Sequence, residues 1–216
     1  MRFTDEGIVL DVKKILENRF SIKIFTKNYG YIQGITHKKV DIGQHIFFDY
    51  SSKNEHGAGF VKINKKIILI FSFELSPFVA SVCHLLSRFL PENHPYPDFY
   101  TIVFELLSGK LEQSKGFYIW FEEMLLQHLG FGLSLTKCAV TDTTQDLIYV
   151  SPKTGCSVSK DVGLPYHASL IFLPQFMSKK TYIDLDASDF NLGLNLTGYF
   201  IKKHLGALPK VRQMLN

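Results

Sequence analysis

Cysteine is scarce in this 216-residue chain, which holds only Cys83, Cys138 and Cys156. A low, odd count argues against a disulfide framework and fits thiols kept reduced, as in the cytosol. No apolar run reaches the roughly 18 residues needed to cross a bilayer, so no membrane partner is expected. The opening MRFTDEG lacks the apolar segment of a secretory signal, and a cytoplasmic location is expected. The phosphate-cradling G-x-x-x-x-G-K-[ST] is missing. So are the dinucleotide G-x-G-x-x-G, the nucleophile elbow G-x-S-x-G and the zinc-protease H-E-x-x-H. Their absence removes the common nucleotide-dependent and hydrolytic chemistries. There is no internal repeat and no low-complexity tract, which sets aside solenoids and disordered linkers.

What is present is an ordinary globular composition, 46% hydrophobic and 20% charged, long enough to bury a core. The net charge of +4 is unevenly spread. Residues 1–74 hold 12 Lys+Arg against 8 Asp+Glu, residues 75–150 hold 4 against 8, and residues 151–216 hold 8 against 4. Both ends are basic and the middle is acidic, which points to a polyanionic partner such as nucleic acid.

The first 74 residues read as short strands. In RFSIKIFTK, Phe20, Ile22 and Ile24 share one face, while Arg19, Lys23 and Lys27 share the other with Phe25. EGIVLDV, YIQG, HIFFDY and GFVKIN are further strands, with turn chemistry at Asn28 and Gly30. The apolar run at 67–73 is a buried strand or the lead into a helix. About five short strands in this length predict a small barrel or sandwich. At Ser76 and Pro77, a cap and a first helical residue, the period becomes helical: Phe78, Val82, Leu85, Leu86 and Phe89. A second helix carries Tyr100, Val103, Phe104 and Leu107 and stops near Gly109. A third runs over about 115–129, with Phe117, Phe121, Met124, Leu125 and His128 inward and Gly130 ending it. A last helix at 190–205 turns Leu192, Leu196, Tyr199 and Phe200 inward. Residues 133–165 read as an irregular hairpin set between helices.

Two half-knuckles stand in that hairpin. Cys138 is followed at the third place by Thr141, and Cys156 at the third place by Ser159. Structural zinc takes four thiolates or imidazoles, and hydroxyls ionise too weakly to replace thiolates. The alternative is a hairpin whose turns are held by Pro152, Gly155 and local Ser/Thr hydrogen bonds. Asp184, Asp186 and Asp189 could in principle gather a metal for a hydrolase, but acids just before a helix are ordinary. His128, on an apolar helix stripe, reads as a packed core histidine.

A barrel that binds single strands combines a basic groove with aromatic platforms. In the OB-fold that surface lies on strands 2 and 3 and the loop between strands 1 and 2. It would here be carried by Lys13, Lys14, Arg19, Lys23, Phe25 and Lys27, with Tyr29 and Tyr31 continuing the parity.

DEGIVLDVKK, IFTKNYGYIQG, FEEMLLQHLGFGLSL, KCAVT, YVSPKTG, SVS and LTGYFIKKHL, in this order and spacing, resemble the bacterial recombination-mediator family RecO along nearly the whole chain. The resemblance implies an α+β protein with a five-stranded OB-fold over 1–74. A mainly helical domain would follow over 75–216, with an inserted zinc-ribbon-like hairpin at about 133–165. Many members carry a four-cysteine zinc site there. It falls on Cys138, Thr141, Cys156 and Ser159, so this chain is expected to have dropped the metal and to need no cofactor. The family implies no enzymatic activity. It implies binding of single- and double-stranded DNA, annealing of complementary strands, pairing with RecR, binding of the acidic tail of single-strand-binding protein, and help in loading RecA. A protein adaptor with incidental DNA contact is the alternative. The basic terminus, Lys202, Lys203, Lys210 and Arg212, is expected to extend the DNA track or receive the acidic tail. Family members often carry an arginine-rich loop after the second strand; here that loop, ITHKKVDIGQH, offers only Lys38 and Lys39.

Overall fold

The structure is a computed structural model that describes residues 1–53, 58–67, 76–109 and 111–215. The expected apolar stretch at 68–73 and the side chain of the expected cap, Ser76, lie outside the described residues. Five strands, β1 (Arg2–Leu16), β2 (Arg19–Thr26), β3 (Gly30–Thr36), β4 (His45–Ser51) and β5 (Gly59–Ile67), close into a barrel in the order β1-β2-β3-β5-β4. β1 is 15 residues long and pairs twice, with β4 through its first half and with β2 through its second. Register shifts between Val9 and Asp11 and between Lys14 and Leu16 let so long a strand coil around the barrel. β3 and β5 run parallel at Gly34↔Gly59 and Ile35↔Phe60; the other barrel pairs are antiparallel. This closed five-stranded arrangement is the OB-fold.

The strand period places Val9, Ile22, Ile24, Ile32, Ile46, Phe48, Val61 and Ile63 inside the barrel. Ile8, Leu10 and Phe25 have the opposite parity and are also buried. Apolar residues on both faces of a strand need cover on both. Two helices provide it: α1 (Ser76–Phe89) and α2 (Pro97–Ser108). The Cys83 thiol on α1 donates to the Val9 carbonyl at 3.8 Å, and Phe99 and Tyr100 of α2 meet the Phe25 ring at 5.9 and 5.6 Å. Gly30 marks how close the chain comes. Its φ is +71° and a Cβ there would lie 1.8 Å from the His94 carbonyl oxygen. The change of period expected at Ser76 is the start of α1, whereas the compact unit runs from Met1 to Gly109, because both helices pack on the barrel.

The second compact unit is Lys110–Met214. It contains α3 (Leu111–His128), a sheet ordered β7-β6-β8 from β6 (Leu147–Val150), β7 (Ser157–Ser159) and β8 (Ile171–Phe172), two single-turn helices, α4 (Lys160–Gly163) and α5 (Gln175–Ser178), and α6 (Ala187–Leu205). A 3-10 turn, Val211–Leu215, follows α6. The Asp186 carboxylate accepts from the Asp189 N–H at 2.7 Å and so caps α6. Two helix faces differ from the sequence expectation. On α6 the buried residues are Phe190, Gly193, Leu194, Leu196, Thr197, Gly198, Phe200 and Ile201, while Tyr199 is exposed and Leu192 half-buried. The two glycines belong to the packed side, where a Cβ at Gly193 would press on Phe176 and Ile119. On α3, Tyr118, Ile119 and Leu126 are buried together with Glu122 and Glu123, while Phe117, Met124 and His128 are only half-buried. Among the described residues, no helix is long and apolar enough to cross a membrane.

Candidate nucleic-acid interface

The expected cationic face of β2 divides into open and closed parts. Lys13, Lys14 and Arg19 are exposed at the β1–β2 end of the barrel. They do not share one face: Lys13 pairs with Ser21 and Lys14 with Phe20, so their side chains leave opposite sides of the ribbon. Lys23 is half-buried. Its ammonium donates to the Ser87 carbonyl of α1 at 3.2 Å and lies 5.6 Å from the Tyr31 ring. Lys27 is exposed but paired with Glu6 at 2.7 Å; that hydrogen bond and the carboxylate's charge raise its pKa. Phe25 is a correction. Expected as an exposed stacking platform, it is fully buried beneath α2, because the outer side of β2 is an interior surface. Lys38 and Lys39 are exposed between β3 and β4, and the Lys38 ammonium donates to the Ile63 carbonyl at 2.7 Å.

The C-terminal cations divide too. Lys202 and Lys210 are exposed. The exposed Lys203 ammonium donates to the carbonyls of Pro152 and Lys153 at 2.6 and 3.2 Å, which ties α6 to the hairpin turn. Arg212 is a second correction. It is 3% exposed, and its guanidinium donates to Glu122 at 2.7 and 2.9 Å and to the Leu194 carbonyl at 2.6 Å. A carboxylate buried on α3 needs such a partner, and the only arginine after residue 88 supplies it. It is therefore withdrawn from solvent.

Cations on the opposite side of the barrel escaped the sequence reading. Lys62, Lys65 and Lys66 of β5 are exposed, with Arg2 at the start of β1 and Lys53 after β4. Phe60, 44% exposed, stands among them, and the His37 ring lies 5.6 Å from it. The signal was in GFVKIN, whose alternation puts Phe60, Lys62 and Asn64 on one face and Val61 and Ile63 inside.

The half-knuckles of the hairpin hold hydrogen bonds at the places where zinc ligands would stand. The backbone N–H and hydroxyl of Ser159 both donate to the buried Cys138 sulfur, at 3.4 and 3.5 Å. Burial pushes the Cys138 thiol up, but donors from Ser159 and Thr141 outweigh it and bring the thiol down to about 6. The Cys156 sulfur lies 3.8 Å from the Thr154 carbonyl, toward which it donates. The Cys138 sulfur is thus engaged by donors, the Cys156 S–H is directed to a carbonyl, and two of the four positions are hydroxyls, so the donor set does not fit zinc. Among the described residues, no group of three or more His, Cys, Asp or Glu side chains is arranged to hold a metal.

A cavity of about 570 Å³ opens in the helical unit, walled by Phe117, Trp120, Met124 and Ile183. The Trp120 and Tyr182 rings stack at 5.9 Å. Glu123, at its floor, accepts from the Tyr182 hydroxyl and from the Lys180 ammonium.

A closed OB barrel with basic surface on more than one side, in a chain that goes on to a helical unit with a cysteine-bearing hairpin, defines a class of OB-barrel protein with an appended helical region. The family model described as "Recombination protein O C terminal" matches residues 72–213. Proteins named DNA repair protein RecO from Ehrlichia chaffeensis and Wolbachia pipientis wMel are each 33% identical to this chain, over 94% and 95% of it and 90% and 92% of their own lengths. Another of that name, from Rickettsia bellii, is 32% identical over 99% of this chain and 95% of its own length. The chain belongs to the RecO family.

Proposed function

We propose that this chain acts in DNA repair as a recombination mediator in the cytoplasm, at the nucleoid. It binds single- and double-stranded DNA without sequence preference and anneals complementary strands. With RecR, it helps RecA load onto DNA covered by single-strand-binding protein. No bond in the DNA is made or broken. Cations on the barrel neutralise phosphates of two strands and lower their mutual repulsion, so base pairing can proceed. The observation that carries this reading is a closed OB barrel with exposed cations in a chain of the RecO family. In this reading residues 1–74 form the DNA-binding domain and residues 75–216 the helical domain. Lys13, Lys14, Arg19 and Lys39 contribute to phosphate binding, as do Lys202 and Lys210.

The acidic tail of single-strand-binding protein is assigned, in the same reading, to the apolar cavity of the helical unit. Its aromatic and aliphatic walls suit an apolar chain end.

Mixing the purified protein with labelled complementary strands tests the mediator reading. Annealing should be faster with the protein, should slow steeply as salt rises, and should be indifferent to a chelator. Normal partner binding with no acceleration would favour the adaptor alternative; strand cleavage abolished by chelator would replace both with a nuclease.

A further inference from the structure

We infer that single-stranded nucleic acid runs across the outer face of β1, β4 and β5, with Phe60 stacking on a base. This rests on the DNA-binding reading above and says where on the barrel that binding occurs. The strand register builds the face as three rungs. Arg2, Ser51 and Phe60 form the first; Thr4, Asp49 and Lys62 the second; Glu6, Phe47 and Lys65 the third. Neighbouring rungs are two residues apart on β1 and β4, about 6.6 Å; on β5 a register shift sets Lys62 and Lys65 three residues apart. Spacing alone therefore does not separate single strands from duplex; the exposed ring does.

The charges are arranged for a nucleic-acid strand. The acids of the face are already engaged by the barrel. Glu6 pairs with Lys27 at 2.7 Å, with His45 3.2 Å away, and Asp49 accepts from the Thr4 hydroxyl at 2.7 Å. The cations instead reach solvent: Arg2, Lys53, Lys62 and Lys65 are exposed, whereas Lys66 pairs with the core residue Ile46 and donates to the Lys39 carbonyl. The aromatic member is placed to stack. Phe60 is partly open, lies beside the His37 ring, and borders a hollow with Arg2 and Lys53 and another with Arg2 and Lys62. An exposed ring among cations suits an unstacked base, whereas a paired duplex hides its base faces. The barrel's other side cannot serve in this way, since Phe25 is buried under α2 and Lys23 is held by α1.

The test is fluorescence anisotropy on the full chain with a labelled oligothymidylate and, separately, a labelled duplex. Phe60→Ala should weaken oligothymidylate binding by about 5- to 100-fold and duplex binding much less, while Phe60→Trp keeps the parent's affinity. Lys62→Gln with Lys65→Gln should lower the slope of log affinity against log salt by about 1.4. Lys13→Gln with Lys14→Gln should change oligothymidylate binding less than either. If Phe60→Ala and the Lys62/Lys65 pair bind like the parent while the Lys13/Lys14 pair loses affinity, the track is at the β1–β2 end; this inference fails and the DNA-binding reading stands. Equal loss on duplex and single strand for Phe60→Ala overturns the stacking role. A parent that binds neither nucleic acid, but binds an acidic peptide through Phe60, overturns the reading underneath as well.

Discussion

Arg212 lies in a stretch of the sequence that reads as a basic tail, yet its guanidinium is the buried partner of Glu122. Removing one member of such a pair strands the other charge without water, at about 3–5 kcal/mol. Arg212→Met should therefore lower stability to urea by about that amount. The salt slope of DNA binding, measured where the variant is folded, should not change. A stable variant with a reduced slope would return Arg212 to the DNA-contacting set. His45 supplies a pH dependence. Burial holds its imidazole below the ordinary value, against the pull of Glu6. The folded chain then binds this proton less tightly than the unfolded chain. The contribution is complete above about pH 6.5 and is lost as pH falls from there through the lowered folded value. Thermal midpoints should drop across that window, and His45→Gln should flatten part of the drop. A parent curve already flat below about pH 6.5 would remove His45 from the account.

At the scale of elements, β2 shows how far alternation alone can be read. Ile22 and Ile24 face the barrel core as their spacing predicts. Phe25, on the other parity, reads equally well as a solvent platform or as a residue waiting for a helix. Only the packing of α2 decides between them. Phe25→Ala should cost about 3–5 kcal/mol, the loss typical of an emptied aromatic site, and should be read by chemical denaturation. A cost under about 1 kcal/mol would mean that the site is exposed in solution. Helices α3 and α6 were legible as elements, but not which way they face. The two buried glutamates of α3 and the two glycines of α6 invert the usual hydrophobic weighting, and their partners lie far along the chain. The hairpin at 133–165 was legible as a hairpin, yet it gains a third strand, β8, after its expected end. Its half-knuckles give an element-scale test. Thr141→Cys with Ser159→Cys restores four thiols, so the dialysed variant should hold about one zinc per chain and melt higher than the parent. A variant that holds no zinc would show that the four positions do not converge.

For the molecule as a whole, the order of strands before Ser76 and of helices after it was readable from periodicity and turn residues. The basic surface was readable only in part, because charge counts do not say which lysines the fold keeps for itself. Lys23, Lys38 and Lys203 each donate to a backbone carbonyl, and Lys27 is taken by Glu6. The salt slope of single-strand binding should accordingly be shallower than the 24 Lys+Arg of the chain would allow, at about 0.7 per phosphate neutralised. A slope unchanged by neutralising any exposed barrel lysine would leave the barrel without a role in phosphate contact. The chain has one tryptophan, and Trp120 forms a wall of the apolar cavity in the helical unit. Its ultraviolet emission is therefore an intrinsic, label-free gauge of whatever enters that cavity. An acidic peptide ending in phenylalanine, which does not absorb at the excitation wavelength of indole, can be titrated against it directly.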